Sequence, residues 1–368
     1  MAESRLQQLS DAGVSVWIDS LSREMLRTGQ LASLMDDDSV VGVTSNPTIF
    51  QKALAEGDVY DEQLREVAAK EDDPVEIFFT LAEDDIREAC DLMRPVWERT
   101  DGVDGFVSLE VDPTLAYDRD RTFEQAVRFN KEVDKPNLYV KIPATEPGLG
   151  AIEDCIAKSA PINVTLIFSL ERYAAVVESY LRGLERLVAA GGDPSKVISV
   201  ASFFVSRVDT EADKRLEAAG RTDLQGKLAV ANAKLAYEHY LEVVGSDRWA
   251  FLAGKGARPQ RCLWASTSTK NPAYRDVLYV EELIGPDTVN TMPLETVRAF
   301  QDHGEVKAGS LTDGLDEAKQ LLADLAAAGV DYDDVVETLE AEGVQKFADS
   351  FAELLDGIKA KVGTLQPA

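Results

Sequence analysis

The sequence is short of histidine, cysteine and positive charge. Only two histidines occur in 368 residues, His239 and His303. One falls in a stretch patterned as an amphipathic helix and the other at a helix end, so a His-rich metal site or a Ser-His-Asp triad is not expected. The three cysteines, Cys90, Cys155 and Cys262, are odd in number and have no CxxC spacing. That argues against a disulfide framework or zinc ribbon and fits a reducing cytoplasm. Lys plus Arg total 38 against 66 Asp plus Glu, a formal charge of −28. Nucleic acid and anionic membrane surfaces both demand clustered positive charge, so neither is an expected partner. No apolar run approaches the ~18 residues of a membrane span. The opening MAESRLQQLSDAG lacks the apolar stretch of a signal peptide. No GxGxxG or GxxxxGK[ST] follows any candidate strand, which removes the usual phosphate-cradling loops.

What is present is a large apolar fraction, 45%, enough for an extensive core. Short runs rich in Val, Ile and Phe lie at 14–19, 40–45, 105–111, 138–142, 162–168, 197–204, 261–266 and 288–292. They read as strands buried on both faces. Helical periodicity fills the gaps. Asp73, Pro74 and Glu76 read as a cap, a first helical position and a capping box, followed by Ile77, Leu81, Ile86, Ala89 and Met93 on one face. Thr122 with Gln125 is expected to open another helix, and long amphipathic segments follow at 171–190 and 224–244. Strand then helix, repeated eight times without a linker, predicts an α/β fold of the (β/α)8 TIM-barrel type, with a doubly wound open sheet as the runner-up. Extra helices are expected at 47–100 and 224–255. Two more, at 311–328 and 333–361, should close over or beside the barrel. The whole span 1–368 reads as a single catalytic domain with a C-terminal helical extension from about 311. The Asp36-Asp37-Asp38 and Asp333-Asp334 runs read as helix starts or loops.

A barrel places its chemistry at the C-terminal ends of its strands. Polar residues recur there, often at i, i+2 on one strand face. They are Asp19; Thr44 and Asn46; Ser108 and Glu110; Lys141; Asn163 and Thr165; Ser202 with Arg207 just beyond; and Ser266, Ser268 and Lys270. Taken singly, each has a plain structural explanation. Asp19 could be a helix cap, Ser108 and Ser266 could bond to backbone, Asn46 before Pro47 could be a turn, and Arg207 and Lys270 could be surface cations. Lys141, between Val140 and Ile142 in a central strand, is harder to explain that way, because a charge there is costly without a role. Recurrence across seven strands favours a site.

A desolvated lysine near other cations releases its proton more readily, and the neutral amine can attack a ketone. The Schiff base so formed is an electron sink that needs no metal or cofactor. Carbon–carbon cleavage then needs a base for the β-hydroxyl, and Asp19 or Glu110 could serve, directly or through water.

The segments WIDSLSR (17–23), GVTSNPTIF (42–50), FVSLEVDP (106–113), LYVKIPAT (138–145), INVTLIFS (162–169) and WASTSTKNPAY (264–274) together resemble the transaldolase family. The resemblance runs in order from Trp17 to beyond Met292. It implies transfer of a dihydroxyacetone unit from sedoheptulose 7-phosphate to glyceraldehyde 3-phosphate in the pentose phosphate pathway, with sugar phosphates as partners. It implies Lys141 as Schiff-base nucleophile, Asp19 as acid/base for the C4 hydroxyl, and Glu110 and Thr165 around a proton-shuttling water. Thr44, Asn46, Ser108, Asn163 and Ser202 would hold dihydroxyacetone hydroxyls or the lysine, and Arg207 and Ser266 the phosphate. One departure stands out: where many transaldolases carry a second phosphate-binding arginine, this chain has Ser268, with Lys270 two residues on to supply charge. The pattern is similar to the longer-chain plant and actinobacterial subgroup. Fructose 6-phosphate aldolases share the lysine but are much shorter and usually carry tyrosine at the Glu110 position. A barrel glycosidase using Asp19 and Glu110 would leave Lys141 unexplained. The acidic surface shows no self-complementary patch, so the sequence leaves the oligomeric state open.

Overall fold

The computed structural model describes residues 4–55 and 57–365. The two ends of the expected 1–368 span, including the first residues of MAESRLQQLSDAG, lie outside the described residues. Eight parallel strands close into a barrel: β1 (Val14–Ile18), β2 (Gly42–Val43), β3 (Val107–Glu110), β4 (Leu138–Pro143), β5 (Ile162–Ile167), β6 (Ser199–Phe204), β7 (Arg261–Ala265) and β8 (Thr288–Met292), with β8 pairing back onto β1. All eight expected strands form: β8 has the expected bounds, β4 gains Pro143, and the other six are shortened by one to four residues. The open-sheet alternative is excluded by closure. β2 is cut to two residues because Asn46 and Pro47 turn the chain at once into a helix, Pro47–Ala55. Gly42 is required there. A Cβ on it would stand 2.3 Å from the Trp17 ring on the neighbouring strand.

The helix Pro74–Arg99 begins as expected, with the Asp73 side chain accepting from the Val75 amide at 2.9 Å. The capping box is not closed by Glu76, however. Glu76 accepts instead from Arg128 on the helix Arg119–Val133, and Glu71 receives the Asp73 amide. That second helix starts earlier than Thr122, capped by Asp118 on the Arg121 amide. Thr122 donates to the Leu115 carbonyl and Gln125 accepts from the Asp112 amide, so both secure the loop after β3. Asp36 and Asp37 end the helix Gln30–Asp37 rather than starting one. Acidic groups at that end oppose the helix dipole. Burial and neighbouring Asp37 raise the Asp38 carboxyl. Asp333 and Asp334 do sit in a first turn.

The C-terminal region forms helices Leu315–Ala327 and Tyr332–Leu365, with no strand among its described residues. The last helix crosses the mouth of the barrel. Asp334 pairs with Arg215 at one side, and Glu340 with Arg172. Farther along, Thr48 donates to Ser350 at 2.9 Å and Lys361 pairs with Asp61 at 2.7 Å. Phe347, Phe351, Leu354 and Ile358 are buried along its inner face, each contributing roughly 1.5–3 kcal/mol by leaving water. Phe351 packs edge-on to Phe78, with ring centroids 5.6 Å apart. Gly343 keeps the crossing close, since a Cβ there would come within 3.2–3.4 Å of Leu166 and Phe168. No described helix is long and apolar enough to cross a membrane.

Candidate active site

The barrel's C-terminal mouth holds a cavity of about 300 Å³ beneath the last helix, within the range of small-ligand sites. Of the thirteen residues singled out in the sequence, Asp19, Thr44, Asn46, Lys141, Thr165, Ser202, Arg207, Ser266, Ser268 and Lys270 line it. Glu110, Ser108 and Asn163 lie just behind the wall.

Lys141 points inward from β4, in register with Glu110 on β3 and Asn163 on β5. Its Nζ donates to Glu110 Oε2 at 3.0 Å and to the Ser45 carbonyl at 3.2 Å. The Phe347 ring centroid lies 5.5 Å from the same nitrogen. Glu110 Oε1 and Thr165 Oγ1 are both buried without a hydrogen-bond partner among the described residues. Such atoms are expensive unless something else satisfies them. Burial raises the Glu110 carboxyl above its ordinary range, against the pull of Lys141. An amine and a raised carboxyl at this separation can exchange a proton.

Asp19 closes β1, its amide donating to the Met292 carbonyl at 2.9 Å. Burial raises its carboxyl too, opposed first by Lys141, then by the Thr44 hydrogen bond, Arg207 and Lys270. Thr44 donates to Asp19 Oδ1 at 2.7 Å and lies 2.7 Å from Thr291 Oγ1. A hydroxyl has one proton to give, so Thr291 is the donor in the second bond. Thr291 thereby orients the hydroxyl that orients Asp19. Sequence reasoning passed over it, although Asn290 and Thr291 carry the same late-strand polarity on β8 as the residues chosen on the other seven.

Behind the lysine, Ser202 donates to Asn163 Oδ1 at 2.7 Å and Asn163 Nδ2 to Ser108 at 3.1 Å. This fully buried chain spans β6, β5 and β3. Asn46 caps the helix Pro47–Ala55 through the Ile49 amide at 3.0 Å. The turn explanation thus holds, and the side chain still borders the cavity. Backbone is left-handed at Leu166 (φ 60°), directly after Thr165, and at Ser266 (φ 56°). Non-glycine residues held there cost of order 1–3 kcal/mol each and cluster at functional sites.

At the outer rim, Arg207 lies in the first turn of the helix Ser206–Ala218, its guanidinium 5.1 Å from the Phe204 ring and 5.9 Å from that of Phe347. Burial lowers its pKa, against Asp19, Glu110 and Glu342. Ser266 lies 2.9 Å from Ser206, and Lys270 donates to Ser268 at 2.7 Å. Lys52, Phe204, Glu295, Lys346 and Phe347 also line the cavity and were not foreseen.

The chain matches the family described as Transaldolase/Fructose-6-phosphate aldolase over residues 16–358. It is 54% identical over 361 residues to a protein of Frankia alni named transaldolase, covering 97% of each chain. A transaldolase of Thermobifida fusca is 55% identical over 358 residues, 96% of this chain and 97% of that one. One of Mycolicibacterium smegmatis is 53% identical over 360 residues, 97% of each.

Proposed function

The chain belongs to the transaldolase/fructose-6-phosphate aldolase family, and from that premise we propose that it is a transaldolase of the pentose phosphate pathway, acting in the cytoplasm through a Schiff base on Lys141. It moves three carbons from sedoheptulose 7-phosphate to glyceraldehyde 3-phosphate, giving erythrose 4-phosphate and fructose 6-phosphate. The observation that carries this reading is the buried Lys141–Glu110 contact at 3.0 Å with one glutamate oxygen left bare.

Lys141 Nζ gives a proton to Glu110 and adds to the C2 carbonyl of the donor. The resulting carbinolamine loses its hydroxyl as water, with Glu110 Oε1 and Thr165 Oγ1 holding the water that relays the proton. Asp19 takes the proton of the C4 hydroxyl, the C3–C4 bond breaks, and its electron pair passes into the iminium. The aldehyde fragment leaves, and an enamine of dihydroxyacetone stays on the lysine. The acceptor aldehyde then adds at C3, Asp19 returns the proton to the new hydroxyl, and hydrolysis frees the product. Burial that raises Asp19 favours a group able both to take and to return this proton. The lysine supplies the electron sink, so the scheme calls for no metal or cofactor. The named relatives and the glutamate beside the lysine support transfer over simple aldol cleavage.

Incubation with fructose 6-phosphate followed by borohydride should leave a dihydroxyacetone-sized adduct on the peptide containing Lys141, read by mass spectrometry. An unmodified peptide sinks the Schiff-base mechanism. With sedoheptulose 7-phosphate as donor and glyceraldehyde 3-phosphate as acceptor, free dihydroxyacetone outpacing fructose 6-phosphate identifies an aldolase instead.

A further inference from the structure

Five cationic side chains, Lys52, Lys141, Arg207, Lys270 and Lys346, border the mouth cavity against two carboxylates, Asp19 and Glu295. This happens in a chain of formal charge −28. Lys141 is neutralised by Glu110. Among the described residues, Lys52, Arg207, Lys270 and Lys346 have no carboxylate at ion-pair distance; Lys270 reaches only the Ser268 hydroxyl. Arg207, then burial, Lys270 and Lys52 push Lys346 below the ordinary lysine range, a sign that these cations stand within reach of one another. Gathered like charges raise the free energy of the empty site and are relieved when an anion enters.

The Lys346 side chain is exposed at the rim, and its place on the helix is fixed by the next residue. It precedes Phe347, which is buried beside Lys141 and Arg207 on the helix that crosses the mouth. In the loop after β7 the cavity wall carries Ser268, a hydroxyl without charge.

We propose that Lys346, on the C-terminal helix, is a specificity-determining residue that supplies with Arg207 the positive charge binding the phosphate of the substrate. This rests on the sugar-phosphate reading above. The C-terminal helix is then part of the substrate site and discriminates phosphorylated from unphosphorylated sugars.

The test uses the full chain and two variants, Lys346→Met and Lys346→Arg. Removing a charged partner from a bound phosphate should raise the KM for fructose 6-phosphate by about ten-fold in Lys346→Met, with kcat changed by less than about two-fold. The dissociation constant for inorganic phosphate, measured by calorimetry, should rise by a similar factor. Borohydride-trapped adduct formation from unphosphorylated dihydroxyacetone should be unchanged, and Lys346→Arg should recover most of the loss. An unchanged KM and phosphate affinity in Lys346→Met overturns the proposal, as does an equal loss with dihydroxyacetone. The binding readout separates the two claims: a chain that binds phosphate through Lys346 but traps no adduct refutes the lysine chemistry alone.

Discussion

Two ion pairs of the same length sit at opposite ends of the barrel. At the floor, Arg261 Nη2 meets Asp104 Oδ1 at 3.0 Å; at the mouth, Lys141 Nζ meets Glu110 Oε2 at 3.0 Å. Their burial is nearly equal: Arg261 and Asp104 are 7% and 8% exposed, Lys141 and Glu110 4% and 5%. The difference lies in how completely each is satisfied. Asp104 also accepts from Trp17 Nε1 at 3.1 Å and from Ser15 Oγ at 2.8 Å. Arg261 also donates to Ser15 and to the Val103 carbonyl. Glu110 keeps an oxygen bare, and Thr165, two residues beyond Lys141's register partner Asn163 on β5, ends in a bare hydroxyl. A saturated buried pair resists change; an unsaturated one is poised to exchange a proton or a ligand. The choice of cation follows, because a guanidinium stays charged while an amine can become a nucleophile.

The comparison breaks most sharply under a crossed pair of substitutions. Lys141→Met should reduce transfer by more than about a thousand-fold. It should cost little stability, because Glu110 can neutralise itself by binding a proton. Asp104→Ala strands a guanidinium that cannot, and should cost about 3–5 kcal/mol in denaturant unfolding. Its kcat at a temperature where the variant is folded should stay within about two-fold of wild type. Equal stability losses in the two variants would erase the distinction between floor and mouth.

A smaller effect is expected at Asp19. Asp19→Asn should still form the trapped adduct but turn over about a hundred-fold more slowly. Its stability should move the other way. A carboxyl raised by folding binds more protons folded than unfolded, so its contribution falls as pH rises from its unfolded value through its folded one. Removing the charge should therefore raise the melting temperature at pH 7, and the gain should vanish as pH falls below the ordinary aspartate value of about 4. A variant less stable than wild type at pH 7 would show that Asp19 is held by its partners more than it is strained by burial.

Most of the floor-to-mouth architecture was legible because strand and helix periods are written into local sequence. The late-strand polar residues pointed to the mouth for the same reason. Contacts decided by tertiary packing were not legible. Glu76 fits a capping box locally, but the neighbouring helix brings Arg128 within 2.8 Å and takes it. Thr122 likewise has a cap's sequence, yet Asp118 precedes it and the Leu115 carbonyl claims its hydroxyl. Lys346 and Phe347 lie some two hundred residues beyond Lys141, on a helix whose pattern shows that it has a buried face but not what that face covers. Thr291 was readable and overlooked; the helices Arg23–Arg27 and Gln30–Asp37 were too short to show a period.

The smallest expected effect concerns salt. The charge of −28 repels a phosphorylated sugar at long range, while on the proposed reading Arg207, Lys270 and Lys346, which line the cavity, attract it at contact. With a screening length near 10 Å at 0.1 M, added salt weakens both terms. Their opposition should leave the KM for fructose 6-phosphate changed by less than about two-fold across moderate ionic strengths. Trapping of uncharged dihydroxyacetone should not respond at all. A steep rise of KM with salt would mean that the cations of the mouth project beyond the cavity and outweigh the acidic surface. In Lys346→Met the balance shifts toward repulsion, so the slope of KM against salt should move from the wild-type value toward a fall with added salt. If the slope equals that of the wild type, Lys346 contributes nothing to the field that the phosphate meets.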